Sequence, residues 1–225
     1  QDKGFELRAD PAVVGALVDS GLDVLSLANN HTGDYGDLAL TDTMCLLTDA
    51  GIVFVGAGHN ITDAHQARIV QANGLRVAFL AYNEIGPDYF AATEASPGSA
   101  VMEPERMVTD VQAARQEADI VVVSCHWGVE YTPYANTSQQ ELAQTLADAG
   151  ATLIIGQHPH VVQGLRYDPG TLTVYSLGNF VFDQAFSEET SQGLALRCLL
   201  DASGVKTVEF LPVYIADCQP GLMSP

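Results

Sequence analysis

Apolar residues along the chain follow two alternating spacings. Short continuous apolar runs at 22–27, 52–55, 75–82, 120–125 and 152–155 predict buried strands. Between them, Leu40, Met44 and Leu47 repeat at helical spacing, as do Met107, Val111 and Ala114, which predicts helices over 37–50 and 104–117. A first helix is expected after Asp10, a good N-cap with Pro11 at the first helical position and Gly21 past the end. Val13, Val14, Leu17 and Val18 supply its apolar face. Ser138 and Glu141 have capping-box spacing and predict a helix from 138 to near Gly150. Asn60 is expected to cap a short turn reaching 66, and Asn73-Gly74 to join 67–71 and 75–82 as a hairpin. Residues 83–99, with Gly86-Pro87 and Pro97-Gly98, read as a surface loop.

After residue 160 the pattern becomes β only. Runs at 161–167, 172–176, 193–200 and 205–213 predict antiparallel strands, with turns at Pro169-Gly170 and Ser203-Gly204. Alternating strands and helices predict an α/β fold. We expect one domain over 1–217 and a weakly ordered tail over 218–225.

Composition narrows the choices. A chain of 225 residues, 47% hydrophobic, suits one sizeable core. Asp and Glu total 28 against 9 Lys and Arg, a formal net charge of −19. Such a field repels phosphate backbones and anionic lipid, so nucleic acid is not expected as a partner. Cys45, Cys125, Cys198 and Cys218 form no CxxC pair. Cys45 and Cys125 are expected as small core hydrophobes; Cys198 and Cys218 could bridge in an oxidising compartment. No apolar run is long enough to span a membrane. The chain begins Gln1-Asp2-Lys3 without Met, and we expect a piece of a longer protein with a leader or membrane anchor upstream.

The candidate chemistry lies at strand ends. Asn29-Asn30-His31 follows the 22–27 run, His126 follows 120–125, and His158-Pro159-His160 follows 152–155. Ligands of α/β sheets gather at the carboxyl ends of strands, so these residues converge if the strands are neighbours. Converging neutral imidazoles suit zinc, iron, manganese or similar ions. Spacing in His158-x-His160 puts both rings on one side of an extended segment, and Asn30 could add an amide oxygen. Taken singly, each cluster also fits a hydrogen-bonded loop; the coincidence at three strand ends favours a metal site. Glu130 could orient a histidine, touch substrate or lie in solvent. Asp34 could hold the His31 ring or simply begin the next helix. Trp127 could wall the site or pack. The turn containing Asn179 could face the site. His59 and His65 are expected as surface histidines. The chain lacks GxSxG, Walker and GxGxxG motifs, and Gly56-Ala57-Gly58 lacks the Lys of a phosphate loop.

Four blocks carry a family resemblance. Residues 26–36 (SLANNHTGDYG), 125–131 (CHWGVEY), 156–164 (GQHPHVVQG) and 175–182 (YSLGNFVF) are similar, in order, to blocks of the CapA family of bacterial poly-γ-glutamate capsule synthesis proteins. The resemblance covers about Phe5 to Phe182. It implies kinship with calcineurin-like metallophosphoesterases: a two-sheet α/β/β/α sandwich with a two-metal site. Asn30, His126, His158 and His160 are the implied metal ligands, the last two to different ions, and His31 the implied general acid. Asn29, Asp34, Glu130 and Asn179 fall beside them or against substrate. Gln157 is an extra residue in the Gly-His-x-His block. The superfamily's opening Asp-x-His and Gly-Asp blocks have no match here, which implies that one or more N-terminal strands are missing, with a bridging carboxylate. The expected function is metal-dependent phosphoester hydrolysis in capsule synthesis, or a non-catalytic accessory role in polymer assembly and export. Expected partners are a phosphoester or anionic polymer and the membrane subunits of a capsule synthase; the expected place is outside the cytoplasm, membrane-anchored.

Overall fold

The computed structural model describes residues 6–223. Its centre is a six-stranded sheet in the order β4 (Arg68–Ala72), β5 (Leu75–Asn83), β7 (Ile120–His126), β8 (Leu153–Gln157), β10 (Thr171–Val174), β9 (Leu165–Asp168). The four inner strands run parallel, and β4 and β9 close the edges antiparallel. Parallel strands buried on both faces read as continuous apolar runs. Ile120–Val123 shows this, since every side chain in it is buried.

Helices α5 (Pro104–Glu117) and α6 (Thr137–Ala149) cover one face, where Met107, Val111 and Leu146 meet Leu80, Val123 and Ile154. The other face meets a three-stranded antiparallel sheet, β11 (Gln192–Asp201), β12 (Gly204–Ala216) and β13 (Gln219–Leu222). Leu196, Cys198, Val208 and Phe210 of that sheet pack on Ile120, Val122, Leu153 and Leu172. A separate parallel pair, β1 (Val24–Ser26) and β2 (Val53–Val55), sits beside β5 through Val55, Ala28 and Ala81. Helix α2 (Gly36–Asp49) covers this pair with Leu40 and Met44, as its periodicity predicted. The remaining elements are α1 (Val13–Asp19), β3 (Ala57–Gly58), α3 (Ile61–Ala64), α4 (Pro87–Phe90) and β6 (Gly98–Ser99).

Several expectations are corrected. Residues 83–99 are not all loop: β6 pairs with β3 and folds the segment back onto the sheet. β10 is parallel to β8, not part of an all-antiparallel set, because Leu172 and Val174 are needed in the central core. The 161–167 run is strand only from Leu165, since its first residues turn beside the histidines. α6 is capped by Asn136, not Ser138. Asn136 Oδ1 accepts from Gln139 N and Gln139 Oε1 from Asn136 N, both at 2.9 Å. Two overlapping capping boxes existed, and the earlier one closes. Residues 219–222, expected in a tail, extend the outer sheet as β13. The apolar face of α1 is uncovered by the described residues and lines a cleft instead. Cys45 is exposed, on the outward side of α2, while Cys125 is buried as expected; all four cysteines are free. His65 is buried rather than superficial: its Nδ1 lies 2.9 Å from Asp110 Oδ2, which also accepts from the Tyr82 hydroxyl at 3.0 Å. A partner 45 residues away in sequence left no local signal of that burial.

Gly156 links this packing to the strand end from which the histidines project. A Cβ there would lie 1.9 Å from the Tyr175 carbonyl oxygen and 2.4 Å from Trp127 Nε1. Neither neighbour is free to move, because Trp127 Nε1 donates to that same oxygen at 2.9 Å. Gly156→Ala is therefore expected to lower stability by about 1–3 kcal/mol. Urea denaturation checks this; an unchanged midpoint would show that β8 can shift at no cost.

Candidate metal centre

Strand order decides which side chains can meet. β7 and β8 are adjacent and parallel, with His126 opposite Gln157 at their carboxyl ends. The chain leaving β8 then turns sharply, His158 and His160 both holding left-handed backbone at φ 100° and 61°. Such angles cost a side-chain-bearing residue free energy and persist where surroundings enforce them. Here Pro159 is buried between them, and its carbonyl oxygen accepts from Tyr131 N at 2.8 Å.

The turn brings the predicted histidines together. The rings of His126 and His158 are 4.8 Å apart between centroids, and those of His158 and His160 are 5.9 Å apart. From the separate β1 end, Asn30 reaches across 96 residues of sequence: its Oδ1 lies 2.9 Å from His126 Nε2. At 2.9 Å the pair is hydrogen-bonded, slightly closer than the roughly 3–3.5 Å between two donors about 2.1 Å from one ion, so a small outward shift would let both ligate.

Neighbours orient each ring. His160 Nδ1 lies 2.8 Å from Asn179 Oδ1, which as a donor–acceptor pair leaves Nε2 free to ligate. Asn179 is buried, and its amide nitrogen donates to the Thr190 carbonyl at 3.0 Å. His31 Nδ1 lies 2.8 Å from Asp34 Oδ2, whose side chain is fully enclosed and also accepts from Leu7 N. Asn29 Oδ1 accepts from His31 N at 2.8 Å, so it shapes the loop. Glu130 Oε1 lies 3.8 Å from His160 Nε2. Ligand atoms of Glu130, His158 and His160 all fall within 4.8 Å of one another, so Glu130 is placed to do more than orient a histidine. Trp127 packs in the core rather than lining the site.

Glu84 is a residue that sequence reading missed. Its carboxylate accepts from Gly128 N at 2.8 Å, and its own N–H donates to the His126 carbonyl at 2.9 Å. It thereby holds the chain on both sides of Trp127. No motif flags it; only its place at the end of β5, beside β7, does.

Two features fit these residues to a cation. Burial pushes the His126 pKa down to about 3, with His158, His160 and His31 adding, and burial pushes His158 down to about 4, with His160 and His31 adding. Both imidazoles are thus neutral near pH 7, the state that ligates metal. His158 Nδ1 is also buried without a hydrogen-bond partner among the described residues. Such an atom costs about 1–3 kcal/mol unless something occupies it. Asn30, His31, His126 and His160 open onto a cleft of about 1170 Å³ whose far wall is the apolar side of α1 and α2. Arg8 is the one Lys or Arg among the described residues lining it.

Comparisons with known proteins bear on family and fold. The family model described as "Bacterial capsule synthesis protein PGA_cap" matches residues 1–184. "PGA biosynthesis protein CapA" of Bacillus subtilis (strain 168) is 36% identical over 220 residues, covering 97% of this chain and 58% of the relative. "Probable polyglutamine synthesis accessory protein" of Mycobacterium tuberculosis is 33% identical over 187 residues, covering 78% of this chain and 49% of the relative. The chain thus spans about half the length of the curated relatives it matches. Among solved structures, the calcineurin-like phosphoesterase YfkN from Bacillus subtilis superposes with a TM-score of 0.54 at 16% identity, over 96% of this chain and 65% of that one. The mixed α/β architecture is thereby of the calcineurin-like phosphoesterase kind.

The depressed histidines set a pH dependence for metal-free protein. Unfolding returns each to an ordinary value near 6.5, so between that and about 3–4 the unfolded chain binds more protons. Their contribution to stability is complete above 6.5 and is lost as pH falls through the folded values. Melting of metal-free protein is expected to drop between about pH 7 and about pH 4, and the His126→Gln/His158→Gln double variant to show a flatter profile. Equal slopes in the two proteins would contradict the assignment.

Proposed function

This chain belongs to the bacterial capsule synthesis protein family PGA_cap, and we propose that it carries a metal-dependent phosphoesterase site serving capsule or poly-γ-glutamate synthesis. The observation that carries the proposal is the meeting of His126, His158 and His160 at adjacent strand ends, with Asn30 against His126 and one imidazole nitrogen left unpartnered.

His158, His160 and Glu130, whose ligand atoms fall within 4.8 Å of one another, would hold one divalent ion, in place of the different ions that the family resemblance implies for the two histidines, and Asn30 and His126 would contribute to a second. Manganese, iron, zinc and magnesium all suit this mixture of imidazole, amide and carboxylate. When bound, such ions supply Lewis acidity toward phosphoryl oxygens and acidify water. The chain's own groups do the rest. Asn179 fixes the ring of His160. Asp34 holds the His31 ring through Nδ1, which leaves Nε2 directed away from the carboxylate. His31 gives its proton to the leaving oxygen as the phosphorus–oxygen bond breaks. Water supplies the oxygen that bonds to phosphorus, and its released proton restores His31.

A second reading has its own support: the mycobacterial relative is named an accessory protein of polymer synthesis. In that reading the site holds metal as a structural centre, and the protein works by binding capsule synthase membrane subunits at the cell surface. No helix among the described residues is long and apolar enough to cross a membrane. The formal charge of −19 disfavours direct contact with a polyanion unless cations bridge them.

Turnover separates the two readings. With Mn²⁺, the phosphoesterase reading expects hydrolysis of p-nitrophenyl phosphate or bis-p-nitrophenyl phosphate. His31→Ala should keep metal but lose about 10²–10⁴ in kcat, and His158→Ala should lose metal by elemental analysis. Silence on both esters with metal retained favours the accessory reading.

A further inference from the structure

Beside the histidines stands an aromatic structure that metal binding does not explain. Tyr131 stacks on His160, centroids 5.8 Å apart and planes at 25°. Phe182 meets the same imidazole at 5.2 Å and 43°. Phe186 meets Tyr131 edge-on at 5.2 Å and 79°. The rings come from two segments, one after β7 and one before β11, latched where Gln184 Nε2 donates to the Tyr131 hydroxyl at 3.2 Å. Tyr131 itself is held in left-handed backbone at φ 58°. Its N–H bond to Pro159 fixes it to the histidine turn, so the ring has one place to stand.

This is an expensive arrangement for a surface. Phe186 is 65% exposed and Tyr131 45% exposed, with Phe180, Val181 and Tyr134 also in solvent nearby in sequence. Contiguous exposed aromatics beside a polar site mark a binding surface. Charge restricts what can bind. Segments 127–137 and 178–192 contain Glu130, Asp183, Glu188 and Glu189 but no Lys or Arg. A second anionic group on the ligand would find no basic side chain in these two segments to pair with. Phe182 lines the same cleft as His126 and His160, so the collar is continuous with the site.

Resting on the phosphoesterase reading, we propose that Tyr131, Phe182 and Phe186 receive the alcohol part of the substrate, and that this part is uncharged and apolar, aromatic or alkyl. The single phosphoryl group lies among the histidines while the alcohol carbon skeleton packs on the rings. The reaction is hydrolysis: water oxygen bonds to phosphorus, the phosphorus–oxygen bond to the alcohol breaks, and the leaving oxygen takes the proton from His31. Nucleoside diphosphates and polyphosphate, which carry further anionic groups, are expected to bind more weakly.

The test compares 2-phenylethyl phosphate with glycerol phosphate, whose leaving alcohols are alike in acidity, on Mn²⁺-loaded protein. The matching phosphonates, which cannot be hydrolysed, are measured by calorimetry. The phenylethyl compounds are expected to bind about tenfold tighter. Phe186→Ser is expected to bring the ratio close to one. Leu199→Ser, a similarly exposed position on the outer sheet, should keep it. Equal binding of the two phosphonates by the unaltered protein, or an undiminished ratio in Phe186→Ser, overturns the collar. Hydrolysis of both esters with equal KM also overturns the collar but leaves the phosphoesterase reading standing. Preferential phosphonate binding without turnover of either ester supports the collar as an apolar phosphate-ligand site and removes the phosphoesterase reading instead.

Discussion

Four imidazoles crowded at one rim of a sheet cannot all carry protons. Burial and mutual repulsion hold His126 and His158 neutral well below physiological pH, and His158 keeps a buried nitrogen with no protein partner among the described residues. That arrangement is unfavourable for a metal-free protein and favourable for one that captures a cation. Much of the surrounding structure exists to maintain it. The β7–β8 register sets His126 beside the β8 terminus, Gly156 admits Trp127 and Tyr175, and Glu84 pins the chain around Trp127. Left-handed backbone at Tyr131, His158 and His160 falls together at this rim.

The fold class and the convergence of the candidate histidines were legible in the sequence; several strand partnerships around them were not. Asn30, His31, His126, His158 and His160 stood out because each followed an apolar run, and parallel strands put such ends side by side. The helices at 104–117 and the α2 face were legible for the same reason: their periodicity reports burial against one neighbour. Partnerships between distant segments were not. The parallel placement of β10, the pairing of β13 and the burial of His65 against Asp110 all depend on residues remote in the chain. Capping of α6 failed differently, since two boxes of equal local merit overlapped and only tertiary packing of Gln139 against Gln163 favours the first. Glu130 was open to several roles, and its approach to His160 depends on the turn at Gly128, where φ is 88°.

Family and chemistry constrain each other here. Membership of the capsule synthesis family would suggest a polyanionic ligand, yet the chain is itself strongly acidic and its cleft holds one basic side chain among the described residues. Metal ions would supply the positive charge that the protein lacks, but only at one point. A site of that kind favours a ligand with one concentrated anionic group over one with charge spread along its length. Polymer synthesis and phosphoester chemistry are compatible if the ester belongs to a precursor or carrier rather than to the polymer itself.

Anomalous X-ray scattering from crystals grown with Mn²⁺ tests the central claim most directly. A peak within about 2.0–2.4 Å of imidazole nitrogens from both His158 and His160 is the predicted result. Fully soaked crystals with no peak among these residues, or with manganese only on surface carboxylates, would contradict it.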